Sequence, residues 1–323
     1  MADVLTRKSL ILLKVGAVLP TVTDFLETTE ALIPSPKPVT TEISRLTGKL
    51  GYRETLVDKC KVVLDGASIT HTVREMGTDF TIKPEFSDLL QVGGYLETYD
   101  SVAPAQESYT YSNTQSPTRG SMVHYLDGKK QTFTDCVVAS TSIVCELGQA
   151  VTINGDLSAY YDNKGIPVNE ANPTVTENDE PAMIVSCADI VDVAGNTLEA
   201  NSVTITLAPD IKDTYAMGRK SYDITDYVVT IAVSFNVESA NYADQLSQIQ
   251  TQAPLAIDIK INADDNGNLV NGKSMHITAP FGKLSDFTDS DNENAIQREG
   301  TYTLTPDSTD ADQAVKIKLG FFA

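Results

Sequence analysis

From residue 227 to 237 apolar and polar side chains alternate without a break. Tyr227, Val229, Ile231, Val233, Phe235 and Val237 fall on one face, and Val228, Thr230, Ala232, Ser234 and Asn236 on the other. A period of two predicts a strand with one oily and one mostly wet face. Leu255, Ile257, Ile259 and Ile261 repeat the pattern, with Asp258 and Lys260 pointing away. So do Val203, Ile205 and Leu207 between threonines, and Val315, Ile317, Leu319 and Phe321 around Lys316 and Lys318. In the first half, Cys60, Val62 and Leu64 alternate with Lys59 and Lys61. One wet face per strand predicts antiparallel sheets, because parallel sheets are buried on both faces. Asn266-Gly267 and Asn271-Gly272 are turn dipeptides.

Two short helices interrupt this pattern. Pro84 suits a first helical position, Phe86, Leu89 and Leu90 form an i, i+3, i+4 stripe, and Gly93-Gly94 ends it. In the second half Asn241 caps a stretch carrying Tyr242, Leu246 and Ile249, with Pro254 just beyond. Each stripe reads as a lid on a sheet.

The two helices belong to an apparent duplication. Residues 128–135 read GKKQTFTD and residues 282–289 read GKLSDFTD, agreeing at five of eight positions at an offset of 154. Leu89 and Leu246 are 157 apart, and the short strands at 150–153 and 301–304 are 151 apart. Three features in one order at nearly constant spacing indicate two copies of one sheet-plus-helix unit. Residues 163–181, with Pro167, Pro173, Glu177, Asp179 and Glu180, read as a linker between them. Residues 20–41, with Pro34, Pro36 and Pro38, read as an irregular arm that grips a neighbour or stays disordered.

Charge narrows the function classes. The chain of 323 residues carries 44 acidic and 24 basic residues, a net charge of −20. A protein that grips phosphates needs a cationic surplus to displace counterions, so a nucleic-acid grip is not expected, while a wall that DNA slides past remains compatible. Cys60, Cys136, Cys145 and Cys187 show no CxxC spacing, which points to reduced thiols. Lys14 breaks the apolar run Leu10 to Leu13 too early for a secretory core. No stretch has the length of a membrane span. These features predict a soluble protein made in the cytoplasm.

Residues 267–274, GNLVNGKS, satisfy GxxxxGK[ST]. A phosphate-binding loop of this kind opens a helix whose N-terminus holds the phosphates. Here Met275 to Ala279 read as extended and Pro280 follows, so the expectation is a hairpin with two Asn-Gly turns. Asp264, Asn266 and Asn268 have the odd spacing of a calcium loop, but Leu269 and Met275 stand where glycine and glutamate belong. The acidic run Asp286, Asp289, Asp291 and Glu293 reads as a wet loop. His71, His124 and His276 show no metal spacing. No catalytic, cofactor-binding or metal-binding residue is nominated, and a non-enzymatic protein is expected.

Several stretches resemble the major tail tube proteins of long-tailed bacteriophages, in particular the branch with two fused tube domains. Residues 7–14 (RKSLILLK) are similar to that family's basic-then-apolar first strand, residues 84–94 to its helix, and residues 124–129 (HYLDGK) to its hairpin. Residues 275–280 (MHITAP) with 283–287 (KLSDF) resemble its closing motif, and residues 300–304 and 316–321 its last strands. The acidic stretch at 163–181 and the missing basic-proline turn before the second helix depart from the pattern.

The resemblance implies a mainly β fold of two tandem antiparallel β-sandwich or barrel domains, each with a flanking helix. They would occupy residues 1–162 and 182–323, joined by 163–181. It further implies a virion structural subunit, assembled in the host cytoplasm, whose partners are itself, a tape-measure protein and the terminator and distal tail proteins. Three chains would make a pseudo-sixfold ring, and stacked rings a conduit for DNA in transit, without cofactor or membrane. Two other readings share the alternating strands. A two-domain surface-binding or decoration module would stay a monomer or small oligomer, and a nucleotide-dependent enzyme would rest on Lys273.

Overall fold

The computed structural model describes residues 9–34, 37–44, 53–77, 84–100, 106–111, 118–162, 166–216, 219–237, 247, 251, 253–292, 295–305 and 315–320. The fold is mainly β, and every ladder between its strands is antiparallel. The first half contains β1 (Ser9–Val15), β2 (Phe25–Leu26), β3 (Lys37–Ser44), β4 (Arg53–Thr72), helix α1 (Ser87–Val92), β5 (Leu96–Asp100), β6 (Gln106–Tyr111), β7 (Gly120–Leu126), β8 (Lys129–Glu146) and β9 (Thr152–Tyr161). After β10 (Val168–Asn169) come β11 (Ile190–Val193), β12 (Asn196–Leu198), β13 (Ala200–Ala216), β14 (Arg219–Asn236), β15 (Leu255–Ile261), β16 (Met275–Asn292), β17 (Ala295–Leu304) and β18 (Val315–Gly320).

The alternating segments form the expected strands, and their faces sort by side-chain chemistry. Val229 is 3% exposed and its neighbour Val228 is 54% exposed, so the face, not the residue type, decides burial. Val203, Ile205 and Leu207, the four alternating positions of β15, and Val315, Ile317 and Leu319 are all buried. These side chains join residues of the first half, such as Leu64, Ile143 and Ile153, in one continuous core.

One order of pairing occurs twice. In the first half the strands lie side by side as β3, β4, β9, β8, β7, β1, β2. In the second half the order is β13, β14, β17, β16, β15, β11, β12. Long hairpins (β3–β4 and β13–β14) and long strands (β8 and β16) thus occupy matching places. The motif pair GKKQTFTD and GKLSDFTD does not mark that frame. Gly128 sits in the β7–β8 turn at φ +76°, whereas Gly282 lies inside β16, opposite Leu304. The matching pair is instead Gly128-Lys129 and Gly272-Lys273, each entering the long strand of its half.

α1 is the expected lid. Phe86, Leu89 and Leu90 are buried, with Leu89 against Gly155 of β9. Its glycine end permits close approach: a Cβ at Gly93 would lie 2.2 Å from Thr141 Oγ1, and one at Gly94 2.5 Å from the Tyr227 ring. Of the second expected helix only Ser247 and Thr251 are described, both helical, so Asn241, Tyr242, Leu246 and Ile249 lie outside the described residues.

The stretch at 20–41 is more ordered than its prolines suggest. Phe25–Leu26 pairs with β1, Lys37–Ser44 pairs with β4, and Leu26 and Leu32 are buried. The linker stretch is also tied down: β10 pairs with β8, and Arg74 donates to the Glu180 carbonyl at 3.0 Å.

Candidate assembly joint

The two repeated arrangements meet edge to edge along β8. Its first part is flanked by β7, with Gly120 opposite Cys136. Register shifts between Thr134 and Val137 and between Val138 and Thr141 then bend the strand. Beyond them the same flank receives β13, with Thr141 opposite Leu207 and Glu146 opposite Ser202. One long strand therefore carries a hairpin partner from its own half and then a strand from the other. α1 covers this junction, since Thr141 belongs to β8 and Tyr227 to β14.

The outer part of the β13–β14 hairpin reaches onto the first half. Tyr222 stacks on Tyr160 with ring centroids 4.8 Å apart, over Val137, with Val63, Ile211 and Ile224 around them. An aromatic pair of this geometry is worth about 0.5–1.5 kcal/mol beyond its area. The Tyr160 hydroxyl donates to Asp213 at 2.5 Å. Burial first, then that carboxylate, pushes the Tyr160 phenol far above its ordinary range.

Asp135 sits in the left-handed region at φ +55°, at the first bulge of β8. That conformation is uncommon outside glycine, and aspartate is among the residues that adopt it. Its carboxylate accepts the Tyr222 N–H at 2.7 Å and faces Arg119 Nη1 at 3.3 Å. Arg119 also donates to Asp223 at 2.8 Å, and Thr214 donates to the other Asp223 oxygen at 2.5 Å. The Arg119 side chain is 37% exposed, so each ion pair contributes at most about 1 kcal/mol. Together these contacts tie the β13–β14 hairpin to the bulge of β8.

The sequence motifs fall elsewhere and are used locally. After Ser274 the chain enters strand β16 rather than a helix. Ser274 is buried, donates to the Asn262 carbonyl at 2.7 Å and accepts the Val270 N–H at 2.7 Å. Lys273 lies 3.7 Å from Glu75. Asp264 accepts the Asn266 and Asn268 N–H groups at 2.9 and 2.8 Å, and the bonds from Asn268 foremost hold its carboxyl below the usual range.

Of the acidic run, Asp289 takes a bidentate pair from the buried Arg298 at 2.7 and 2.9 Å. The Asp286 carboxylate accepts the Phe287 N–H, and Glu293 lies outside the described residues.

His71 bonds the Glu27 carbonyl at 2.8 Å, His124 meets Ser9 Oγ at 3.0 Å, and His276 meets Asp258 at 2.5 Å, on three separate strands. Burial lowers the His71 imidazole and pushes the Cys145 thiol up to about 12. Cys136 is likewise buried, its thiol raised mainly by burial, and Cys187 is exposed. Among the described residues no group of three or more His, Cys, Asp or Glu is placed to hold a metal ion.

The joint has no motif of its own. Asp223 is far in sequence from its partners Arg119 and Asp135, and only the nearly equal length of the hairpins at 37–72 and 200–236 hints at the repeat. Scans of the chain against protein-family models and against curated proteins find no match.

Proposed function

We propose that this protein is the structural subunit of a bacteriophage tail tube, a chain of two related domains that closes into rings and stacks into a conduit for DNA. The observation that carries the reading is the β8–β13 joint. It makes one sheet out of the edges of two repeated arrangements inside a single chain. A ring needs such a joint at every boundary between units, and closure removes strand edges that otherwise seed uncontrolled aggregation. A joint that pairs unlike edges is heterologous, and heterologous contacts close into rings or continue as filaments.

The net charge of −20 fits a wall that offers passing DNA few cationic holds. Screening limits that repulsion to about 8 Å at physiological salt, so it acts at close range. Two domains per chain give three chains in a sixfold-like ring. The resemblance to tail tube proteins supplies the partners: tape-measure, terminator and distal tail proteins.

Sedimentation across a concentration series tests the reading. Species at three times the chain mass of 34.9 kDa, or multiples of that, are expected. A single-chain species at every concentration would instead favour the surface-binding module.

A further inference from the structure

The β8–β13 joint makes seven strands into one sheet, in the order β4, β9, β8, β13, β14, β17, β16. Register carries single rows of side chains across it. His71 on β4 stands opposite Ile153, and the row runs on through Ile143, Ile205 and Ile231 to Tyr302 on β17. All six are buried. The isoleucines and Tyr302 share one core with Leu89 of α1, Ile11 of β1 and Ile259 of β15.

One residue along each strand, the same ladders align Thr70, Asn154, Ser142, Thr206, Thr230 and Thr303 on the opposite face, each partly exposed. The next row on that face carries threonines at 72, 152, 204 and 301, with Val144 and Ala232 between them. From β4 to β17 these two rows hold no ionisable side chain, in a chain of net charge −20. Asn154 donates to Ser142 Oγ at 3.4 Å, so part of the polar surface is bonded along the row. Charge enters only at the margins. Lys283 and Asp286 end the two rows on β16, Asp156 lies beyond one side, and Glu146 and Glu299 lie beyond the other.

We infer that this neutral hydroxyl face lines the bore, so that DNA in transit meets threonine, serine and asparagine rather than the chain's carboxylates. This rests on the tube reading above and names the surface that forms the wall. The face is continuous across the joint between the two halves, as a wall shared by successive units must be. Its reverse carries α1 and the packed core. Turned inward, that covered side would fill the bore. Only the open side leaves it hollow.

The chemistry suits a polyanion that must pass without being held. A hydroxyl exchanges one hydrogen bond with water for another, at little net gain. It also releases no counterions, whereas each lysine set against a phosphate would release them and make the grip salt-dependent. Repulsion from the marginal carboxylates is screened within about 8 Å at physiological salt, so the centre of the wall neither draws nor repels the duplex.

The test places a thiol at the centre of the face with Thr206→Cys and treats the full chain with two maleimides, one small and one tethered closely to a globular protein carrier. Labelling is read as the increase over the unsubstituted chain, which accounts for the native cysteines, and sedimentation reports assembly. Dispersed chains should take both reagents. Assembled chains should still take the small one, while labelling by the carrier falls at least about tenfold, because a bore that passes a duplex excludes a globule. If that variant fails to fold, Thr303→Cys, in the same row on β17, replaces it. Assemblies labelled equally by both reagents would put the face outside, and assemblies labelled by neither would put it in a contact between chains. A site closed to the carrier already in dispersed chains would show the face to be covered. Each of these three results would overturn the inference and leave the tube reading standing. Chains that sediment singly at every concentration would overturn both.

Discussion

His124 sits on β7 with its ring fully buried, and burial foremost pushes its imidazole down from 6.5 to about 4. A folded-state value below the unfolded one means the unfolded chain binds the proton more tightly. The stability this neutral ring contributes is present in full above pH 6.5 and is lost as the pH falls toward and through about 4. At pH 7.5 the ring is neutral in both states, and the loss is negligible. At pH 4.5 the unfolded ring is charged while the folded ring is mostly neutral, and the difference amounts to about 2.5 kcal/mol.

The perturbation is His124→Gln, which removes the titrating group and keeps a polar side chain near Ser9. Urea unfolding at pH 7.5 and 4.5, at a concentration low enough to keep chains apart, reads the effect. The unsubstituted chain should lose about 2.5 kcal/mol more than the variant between the two pH values. His71, also buried and lowered by burial, titrates in the same sense in both proteins and cancels in the comparison. Parallel losses in the two proteins would refute the assignment.

Leu89→Ala empties the centre of the α1 contact on Gly155 and should cost about 2–5 kcal/mol, read as a lowered urea midpoint with unchanged slope. Gly272→Ala should destabilise by at least about 1–3 kcal/mol. The added methyl would lie 1.9 Å from the Gly77 carbonyl oxygen, at a φ of +73° that side chains rarely adopt, and hydrogen exchange of residues 73–76 should accelerate with it. Lys273→Ala removes only a partly exposed pair with Glu75 at 3.7 Å and should change stability by less than about 1 kcal/mol. Calorimetric titration with magnesium ATP should give no binding heat before or after that change, and saturable heat abolished by it would revive a phosphate-binding role.

Strand faces were legible in the sequence because alternation is a local property. The burial of Val229, Ile231, Val233 and Phe235 beside the exposed Val228 follows from period two alone. The first helix was legible for a similar reason, since Phe86, Leu89 and Leu90 form a compact stripe bounded by proline and paired glycine. The fate of GNLVNGKS followed from what comes after it, because a strand at Met275 leaves no helix N-terminus to hold phosphate.

What failed to show was the frame of the repeat. A shared GK…FTD string outweighed the matching hairpin lengths, and ladders alone reveal that Gly282 lies within a strand while Gly128 turns. β2 was hidden because its two residues carry no periodicity, so the prolines at 34, 36 and 38 made the whole stretch look irregular. The joint was invisible for a different reason. It depends on bulges in β8 and on Arg119 meeting Asp135 and Asp223, contacts that no local pattern encodes.

Electron micrographs of the purified chain at high concentration address the central idea most directly: that this polypeptide completes its sheets with copies of itself. Hollow rings or tubes with a stain-filled centre are the expected result. Solid, separate particles of single-chain size, unchanged as the concentration rises, would contradict it.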